Sequence, residues 1–234
     1  VQRLYRHRFM ELEHTAQGIR IHCTSMQDAS ALHVDGRYLL ACDGAVSSIR
    51  QQLGIEMEGR LLSYSINILF RAPGLIRQHP MGQAERYMFV GPHGMWGNLT
   101  VVDGHEIWRL TVLGSEQKMN LAGFDARAWV LRALGTEQDP ERIPFEVTSV
   151  VPWRRSEMLA KQFLKGRVLL VGDSAHSMSP TGGMGMNTGM QEVLDLGWKL
   201  QGTIEGWGGQ ALLDSYDSER RPIAARNSSF STQN

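Results

Sequence analysis

The residues best suited to bind a ligand lie between Gly166 and Met190, in the segment "GRVLLVGDSAHSMSPTGGMGMNTGM". Its apolar run predicts a buried strand that ends at Asp173, and ligands of open α/β sheets bind at the carboxyl ends of the strands. The Asp173 carboxylate can accept hydrogen bonds from sugar-type hydroxyl groups. The pattern therefore predicts a ligand site at this strand end.

The loop that follows the strand is rich in glycine. Pro180 sets a bend, and Gly182, Gly183 and Gly185 let backbone amides approach a flat ligand without interference from a Cβ atom. A helix predicted to begin near Asn187 would turn its unpaired N–H groups and its positive dipole end toward the same place. Such a loop suits a ligand with hydroxyl groups at one end and developing negative charge at the other.

A flavin has both features, because its ribityl chain carries hydroxyls and its N1–C2=O edge becomes anionic on reduction. Phosphate is the competing ligand for a helix N-terminus, although no Lys or Arg lies between Asp173 and Asn187 to help hold it. A tight strand-to-helix connection without a ligand is the third interpretation.

The flanking segments predict an α/β architecture with a strand-rich insert. "GRYLLACDG" predicts a strand buried on both faces, and "SSIRQQLGI" predicts a short helix between an N-cap at Ser47 and a stop at Gly54. From Leu61 to Val151 the strand-like segments predict an antiparallel meander, with a hairpin at Asp103-Gly104 in which both turn positions need positive φ.

Two amphipathic helices are expected in the second half of the sequence. "FDARAWVLRALG" is expected to end at Gly135. The helix after the glycine loop is expected to extend to about Ile204 and to pack one face against a sheet. That face carries Met190, Val193, Leu194, Gly197, Trp198 and Gln201.

The composition excludes several functional classes. The 234 residues are 42% hydrophobic and 21% charged, and Lys+Arg and Asp+Glu each number 24, so no net charge favours nucleic acid or an anionic membrane. No apolar stretch can span a bilayer, and the scattered histidines offer no metal-ligand spacing. Cys23 and Cys42 are expected to be buried free thiols, which with the lack of a targeting segment favours a cytoplasmic location. The pattern is silent on oligomeric state.

Three segments resemble one protein family. The segment around Asp173 resembles the second flavin fingerprint, the Gly-Asp motif, of the FAD-dependent aromatic hydroxylases with the p-hydroxybenzoate hydroxylase fold. "CDGAVSSIR" is similar to the Asp-Gly motif of that family (DGxxSxxR) through Asp43, Gly44, Ser47 and Arg50. "LLDSYDSERRPIAARN" resembles the segment after the second fingerprint. Within the family, the sequence is similar to hydroxylases of 3-(3-hydroxyphenyl)propionate and of aromatic polyketides.

The resemblance implies a class A flavoprotein monooxygenase of α/β fold. Residues 1–60 and 152–234 would be parts of a Rossmann-like FAD-binding domain, and residues 61–151 would be an inserted antiparallel β-sheet domain for the substrate. NAD(P)H would reduce the FAD, O2 would add at the flavin C4a, and the hydroperoxide would hydroxylate a small phenolic or related aromatic substrate.

The resemblance also implies positions for the cofactor. Pro180 would lie near the flavin edge where oxygen reacts, and Asp43 belongs to a motif linked to both FAD and NAD(P)H. The implied cofactor-binding residues are Asp43, Gly44, Arg50, Gly172, Asp173, Pro180, Gly182, Gly183, Gly185, Met186 and Asn187. Candidate substrate contacts in the meander are Tyr87, Met95, Trp96 and Trp108. No protein nucleophile or other catalytic residue is predicted.

The first fingerprint of the family, GxGxxG after an N-terminal strand, is absent from this sequence, which begins at Val1 within strand-like alternation. We therefore expect a piece of a longer chain. Because the βαβ unit with that fingerprint would bind the ADP half of FAD, we expect these residues alone to hold FAD weakly.

Other functions stay open at this point. An FAD-dependent reductase or epoxidase of the same fold would need the same flavin site without hydroxylation, and an incomplete non-catalytic fragment is a second alternative. A GDS-type serine esterase would use Ser174 as its nucleophile. However, the last histidine in the sequence is His176, only two residues further on, which is a poor position for the general base.

Overall fold

The structure is a computed structural model that describes residues 1–79, 82–117 and 121–233. Its contacts divide the chain into two compact units, the first formed by Val1–Arg60 and Ser156–Asn234 and the second by Leu61–Arg155. The strands are β1 (His7–His14), β2 (Ile19–Ser25), β3 (Ala31–Gly36), β4 (Leu39–Ala41), β5 (Met57–Arg71), β6 (Arg86–Gly91), β7 (Gly94–Val101), β8 (Ile107–Leu113), β9 (Glu146–Ala160), β10 (Leu164–Lys165), β11 (Val168–Leu170) and β12 (His176–Ser177). The helices are α1 (Ser48–Gln52), α2 (Leu75–Gln78), α3 (Ala126–Leu134), α4 (Met184–Glu205) and α5 (Gln210–Gln233).

Two small sheets organise the first unit. Strands β1, β2 and β3 form an antiparallel sheet, and the second sheet has the order β10-β11-β4. The buried strand predicted before Asp173 is confirmed, because Val168, Leu169 and Leu170 are all 0% exposed. The two-sided burial predicted for β4 is wrong, since Leu40 on one face is 43% exposed while Ala41 on the other face is buried.

The pairing of β4 with β11 is parallel, with Leu39 opposite Val168 and Ala41 opposite Leu170. Both strands therefore end at the same edge of the sheet. The Asp-Gly motif follows β4, and the Gly-Asp motif follows β11. The topology thus brings two segments that are far apart in sequence to the edge where ligands of such sheets bind.

Helix α4 begins at Met184, three residues before the predicted start, and its buried face differs from the predicted one. Met190, Val193, Leu194 and Trp198 are between 48% and 75% exposed, and a Cβ on Gly197 would meet no atom within 4 Å. The residues that α4 buries are Thr188, Glu192, Leu196, Lys199 and Gly202. The prediction was wrong because two charged side chains find partners on the buried side, which a hydrophobic pattern does not detect.

In the second unit β5, β8, β7 and β6 are adjacent in that order in an antiparallel sheet. Strands β6, β7 and β8 form a meander, whereas β5 pairs with β8 and not with β6, the next strand along the chain. Its core lies on the side of the sheet that faces α3, where Val130 is 0% exposed. Helix α3 ends at Gly135, as predicted, and Gly135 has a left-handed conformation with φ of 66°. The hairpin between β7 and β8 also forms, but its loop is longer than a two-residue turn. Gly104 alone has positive φ there, and the Asp103 carboxylate accepts three backbone N–H groups.

Two further observations concern the described residues. Cys23 and Cys42 are both free thiols, but only Cys23 is buried, so the predicted burial of Cys42 is wrong. None of the helices described has the length and apolar character that crossing a membrane requires.

Candidate functional site

Asp173 lies at the carboxyl end of β11, in a short 3-10 turn formed by Gly172–Ser174. The turn starts at Gly172, whose φ of +63° is unfavourable for residues with a side chain. Asp173 is exposed, and its carboxylate has no hydrogen-bond partner within the described ranges. The carboxylate is therefore free to accept hydrogen bonds from a ligand.

Ser174 holds the turn against the neighbouring strand. It is 0% exposed, and its Oγ lies 2.6 Å from the Ala41 carbonyl oxygen and accepts a hydrogen bond of 2.9 Å from the Val171 N–H. A catalytic nucleophile must be reachable by its substrate. The serine esterase alternative therefore finds no support in this geometry.

Arg50 joins the Asp-Gly motif to the Gly-Asp motif. It is 6% exposed, and its Nη1 donates to the Ser174 carbonyl at 2.8 Å while its Nη2 donates to the Ala45 carbonyl at 3.2 Å. Burial lowers the pKa of Arg50, and the nearby Asp43 carboxylate opposes that shift. The Arg50 side chain thus lies between the two loops and connects them through hydrogen bonds. A direct contact of Arg50 with the cofactor stays a prediction.

Asp43 caps helix α1. Its Oδ1 accepts from the Ser47 hydroxyl at 2.6 Å and its Oδ2 accepts from the Ile49 N–H at 3.0 Å. Ser47 is the N-cap, as predicted, and accepts from the Arg50 N–H at 3.0 Å, while Gly44 has φ of +79°. Both carboxylate oxygens of Asp43 therefore have partners in the protein, unlike those of Asp173.

The glycine loop leaves open space next to the start of α4. Gly182 and Gly183 have φ of +77° and +65°, and Cβ atoms placed on Gly183 and Gly185 would meet nothing within 4 Å. The first residue of α4 follows Gly183, and no side chain caps the helix there. Asn187 lies inside the first turn and donates to the Gly183 carbonyl at 2.8 Å. Backbone N–H groups and a positive helix end thus face a region that a flat ligand can enter.

The two remaining predicted contacts of this loop are exposed. Pro180 lies at the start of the glycine loop, and Met186 in the first turn of α4 is 70% exposed. Neither side chain is enclosed by the protein. Their predicted contacts with the flavin stay predictions.

A buried acid–imidazole pair, which was not predicted from the sequence, lies below the Gly-Asp turn. His176 and Glu192 are both 0% exposed, and the His176 Nε2 lies 2.8 Å from one Glu192 carboxylate oxygen. The other oxygen accepts from the Gly172 N–H at 2.8 Å. A Cβ on Gly189 would lie 3.3 Å from the Gly172 Cα, so α4 contacts the turn closely. The only sequence signal for this pair was a histidine among small and apolar residues.

In the second unit, the predicted aromatic contacts lie mainly on the helix side of the sheet. Trp108 is 0% exposed and Tyr87 is 7% exposed, and both belong to the core of the unit. Trp96 stacks on Phe89 with ring centroids 4.7 Å apart, and Met95 is 43% exposed. Three of the four predicted residues, Tyr87, Trp96 and Trp108, thus lie on the packed face, and Tyr87 and Trp108 belong to the hydrophobic core.

The opposite face of the same sheet carries polar side chains, because alternate residues of a strand point to opposite faces. The Thr111 hydroxyl donates to the Asn67 side-chain carbonyl at 2.8 Å. Ser65 Oγ, Thr100 Oγ1 and Arg109 Nε are buried atoms without a hydrogen-bond partner in the described part of the chain. Polar residues at every second position of a buried strand were the sequence signal that could have identified this face.

The described residues contain no cluster of three or more His, Cys, Asp or Glu side chains that could hold a metal ion. The groups that the site offers to a ligand are the Asp173 carboxylate as a hydrogen-bond acceptor, open backbone amides and a helix N-terminus. These groups suit a neutral, hydroxyl-bearing and flat ligand with one electron-rich edge, which is the description of a flavin with its ribityl chain.

Comparisons with known proteins agree with this description. Residues 2–231 match the family model of an FAD binding domain. The chain is 37% identical over 225 residues to a putative polyketide hydroxylase of Streptomyces coelicolor, covering 94% of this chain and 35% of that protein. It is 30% identical to a 3-(3-hydroxy-phenyl)propionate/3-hydroxycinnamic acid hydroxylase of Mycobacterium sp. (strain JLS), covering 97% of this chain and 38% of that protein.

A solved structure of the rebeccamycin biosynthetic enzyme RebC with reduced flavin has the same fold. Its TM-score to this chain is 0.85 at 36% sequence identity, and the match covers 97% of this chain and 42% of the RebC chain. This chain therefore spans about two fifths of the length of such relatives. The resemblance to the FAD-dependent aromatic hydroxylases and the predicted α/β fold are both confirmed, and the chain belongs to the FAD binding domain family with the p-hydroxybenzoate hydroxylase fold.

Proposed function

We propose that this chain contributes the flavin-binding and substrate-binding parts of an FAD- and NAD(P)H-dependent monooxygenase that hydroxylates a small phenolic or related aromatic compound. The observation that carries the proposal is the exposed Asp173 carboxylate, which has no hydrogen-bond partner among the described residues. It lies at the same sheet edge as the Asp-Gly motif, within a turn packed against α4. Relatives named as hydroxylases and monooxygenases support the same reaction class.

Bound FAD would supply the redox chemistry between NAD(P)H, O2 and the aromatic substrate. In this proposal the Asp173 carboxylate accepts hydrogen bonds from the ribityl hydroxyls. The amides at the start of α4, at Gly185 and Met186, face the pyrimidine edge and stabilise its negative charge. Arg50 and Glu192 have an indirect role in this proposal, because their hydrogen bonds hold the Gly-Asp turn in place.

The second unit, Leu61–Arg155, is proposed to bind the aromatic substrate. The polar face of its sheet is better suited than the packed face, since Ser65, Thr100 and Arg109 offer buried polar atoms that lack partners among the described residues. Buried polar atoms without partners cost free energy, and a substrate hydroxyl or carbonyl would reduce that cost. The predicted contacts of Tyr87, Trp96 and Trp108 are less suited to this role because they lie on the packed face.

Titration of riboflavin into the 234-residue chain tests the flavin site, with flavin fluorescence as the readout. Riboflavin carries the ring and the ribityl chain without the ADP half. We expect Asp173→Asn to weaken riboflavin binding about tenfold or more, because hydrogen bonds to a charged group contribute about 1.5–3 kcal/mol. Asp214→Asn is the matched control, because Asp214 is exposed on α5. Equal affinities for Asp173→Asn and the unchanged chain would contradict the proposal.

The reaction itself is tested with the chain loaded with FAD. Phenolic compounds are expected to accelerate NADH or NADPH oxidation, and mass spectrometry is expected to find one atom of 18O from 18O2 in the product. Accelerated oxidation that yields only hydrogen peroxide would instead favour the FAD-dependent oxidoreductase without hydroxylation.

A further inference from the structure

The second unit contains a cavity of about 370 Å3 on the side of its sheet that faces α3. Its apolar lining includes Leu75, Leu99 and Ile143, which are 0%, 4% and 3% exposed. The rings of Phe89 and Tyr87 complete this wall. The volume falls in the range of about 300–1,000 Å3 that is usual for small-molecule sites, so the cavity can take a molecule of one or two rings.

Two arginines, Arg132 and Arg142, line the same cavity, and none of the described lining residues is Asp or Glu. Neither guanidinium forms a hydrogen bond or an ion pair within the described ranges. The nearby acid Glu141 lies 3.5 Å from Arg127 instead. The cavity therefore combines an apolar wall with two positive charges that form no ion pair with a carboxylate of the described residues.

The position of Arg132 is fixed without the use of its hydrogen-bond donors. Its guanidinium carbon lies 4.5 Å from the ring centroid of Trp96 and 5.1 Å from that of Trp129. Contact with an aromatic face holds the planar cation while its N–H groups stay in the plane and available. A guanidinium held in this way can form two parallel hydrogen bonds to a carboxylate at little further cost in side-chain entropy.

Among the polar groups of the wall, the Tyr87 hydroxyl has its partners in the protein, whereas the buried His79 Nδ1 has none among the described residues. The Tyr87 hydroxyl donates to the Gly82 carbonyl at 2.8 Å and accepts from the Ala84 N–H at 3.0 Å. It also lies 3.1 Å from the His79 Nε2. Because the Tyr87 hydroxyl has its partners already, Tyr87 contributes a rigid ring to the cavity, and the charge of a ligand would be recognised by the arginines.

We propose that this cavity is a binding site for a small aromatic carboxylate, with the ring against Leu99 and Phe89 and the carboxylate on Arg132 and Arg142. The proposal does not depend on the flavin site, since all lining residues belong to the second unit. Failure of either proposal would leave the other intact, because the test below uses no flavin.

The test titrates 2-naphthoate, a fluorescent aromatic carboxylate, into the 234-residue chain. We expect saturable binding that is at least tenfold tighter than that of 2-naphthamide, the neutral counterpart, and that acetate does not displace. Arg142→Gln is expected to weaken binding about threefold or more, and Arg132→Gln with Arg142→Gln at least tenfold. Arg127→Gln is the control on α3, because Arg127 does not line the cavity.

Three results would overturn the proposal. The first is the absence of saturable binding to the unchanged chain. The second is unchanged 2-naphthoate affinity in the double variant, with the fold verified by circular dichroism. The third is that acetate displaces bound 2-naphthoate at concentrations similar to those at which 2-naphthoate itself binds. That result would show that only the charges of Arg132 and Arg142 bind the anion and that the apolar wall is not used.

Discussion

Replacement of Glu192 by alanine tests whether the buried pair holds the Gly-Asp turn. Glu192→Ala removes the acceptor of two hydrogen bonds of 2.8 Å, one from the Gly172 N–H and one shared with His176 Nε2. All the side-chain atoms concerned are 0% exposed, so water cannot replace the lost partner without a rearrangement. A hydrogen bond to a charged group contributes about 1.5–3 kcal/mol, which gives an expected loss of about 3–6 kcal/mol.

This loss is comparable to the whole stability of many domains, about 5–15 kcal/mol. Glu192→Gln keeps the shape and one acceptor oxygen, so we expect a loss of about 1–2 kcal/mol. Urea denaturation gives the free energies of unfolding, and hydrogen exchange of peptides from residues 168–192 shows whether the turn itself opens. Gln201→Ala, at an exposed position of the same helix, is the control and is expected to change stability by less than about 0.5 kcal/mol. A Glu192→Ala chain within 1 kcal/mol of the unchanged chain would refute the reasoning.

Contacts in the first unit also determine the expected effects of substitutions at Arg50, Tyr216 and Gly189. Arg50→Met is expected to cost about 2–4 kcal/mol in urea denaturation because three backbone carbonyls lose their buried donor, and an unchanged midpoint would contradict this. Burial raises the pKa of Tyr216, so the stability that this group contributes is complete below about pH 10 and is lost as the pH rises above that value. Tyr216→Phe is expected to remove this alkaline decline in the thermal midpoint, and a decline of equal slope would be the opposite result. Gly189→Val is expected to weaken riboflavin binding by displacing Gly172. Gly197→Val, at an open position of the same helix, is the control and is expected to leave riboflavin binding unchanged. Equal effects of the two substitutions would contradict a role for the contact between Gly189 and Gly172.

The sequence by itself determined the local elements and the family. Ser47 and Gly135 were identifiable as helix ends because their chemistry satisfies the unpaired groups of a helix end, which is a local requirement. The apolar run before Asp173 was identifiable because a fully buried strand needs apolar residues on both faces. The Asp103-Gly104 hairpin was also found, although its loop uses the Asp103 side chain to bind backbone amides and so differs from the predicted two-residue turn.

Only the tertiary structure decided which faces are buried and which polar groups meet. Helix α4 buries Glu192 and Lys199 because both have partners outside the helix, although Lys199 also contacts Asp195 of α4 itself. Lys199 Nζ, for example, lies 2.7 Å from Glu219 of α5. The apolar residues on the other face of α4 are exposed. Helical periodicity cannot predict this, because it reports the spacing of apolar residues along the helix and not which residues pack against them. In the same way Trp108 suited a ligand contact by type, but the strand register places it in the core. Side-chain chemistry is local and can be predicted from the sequence, whereas burial depends on which distant residues the fold brings into contact.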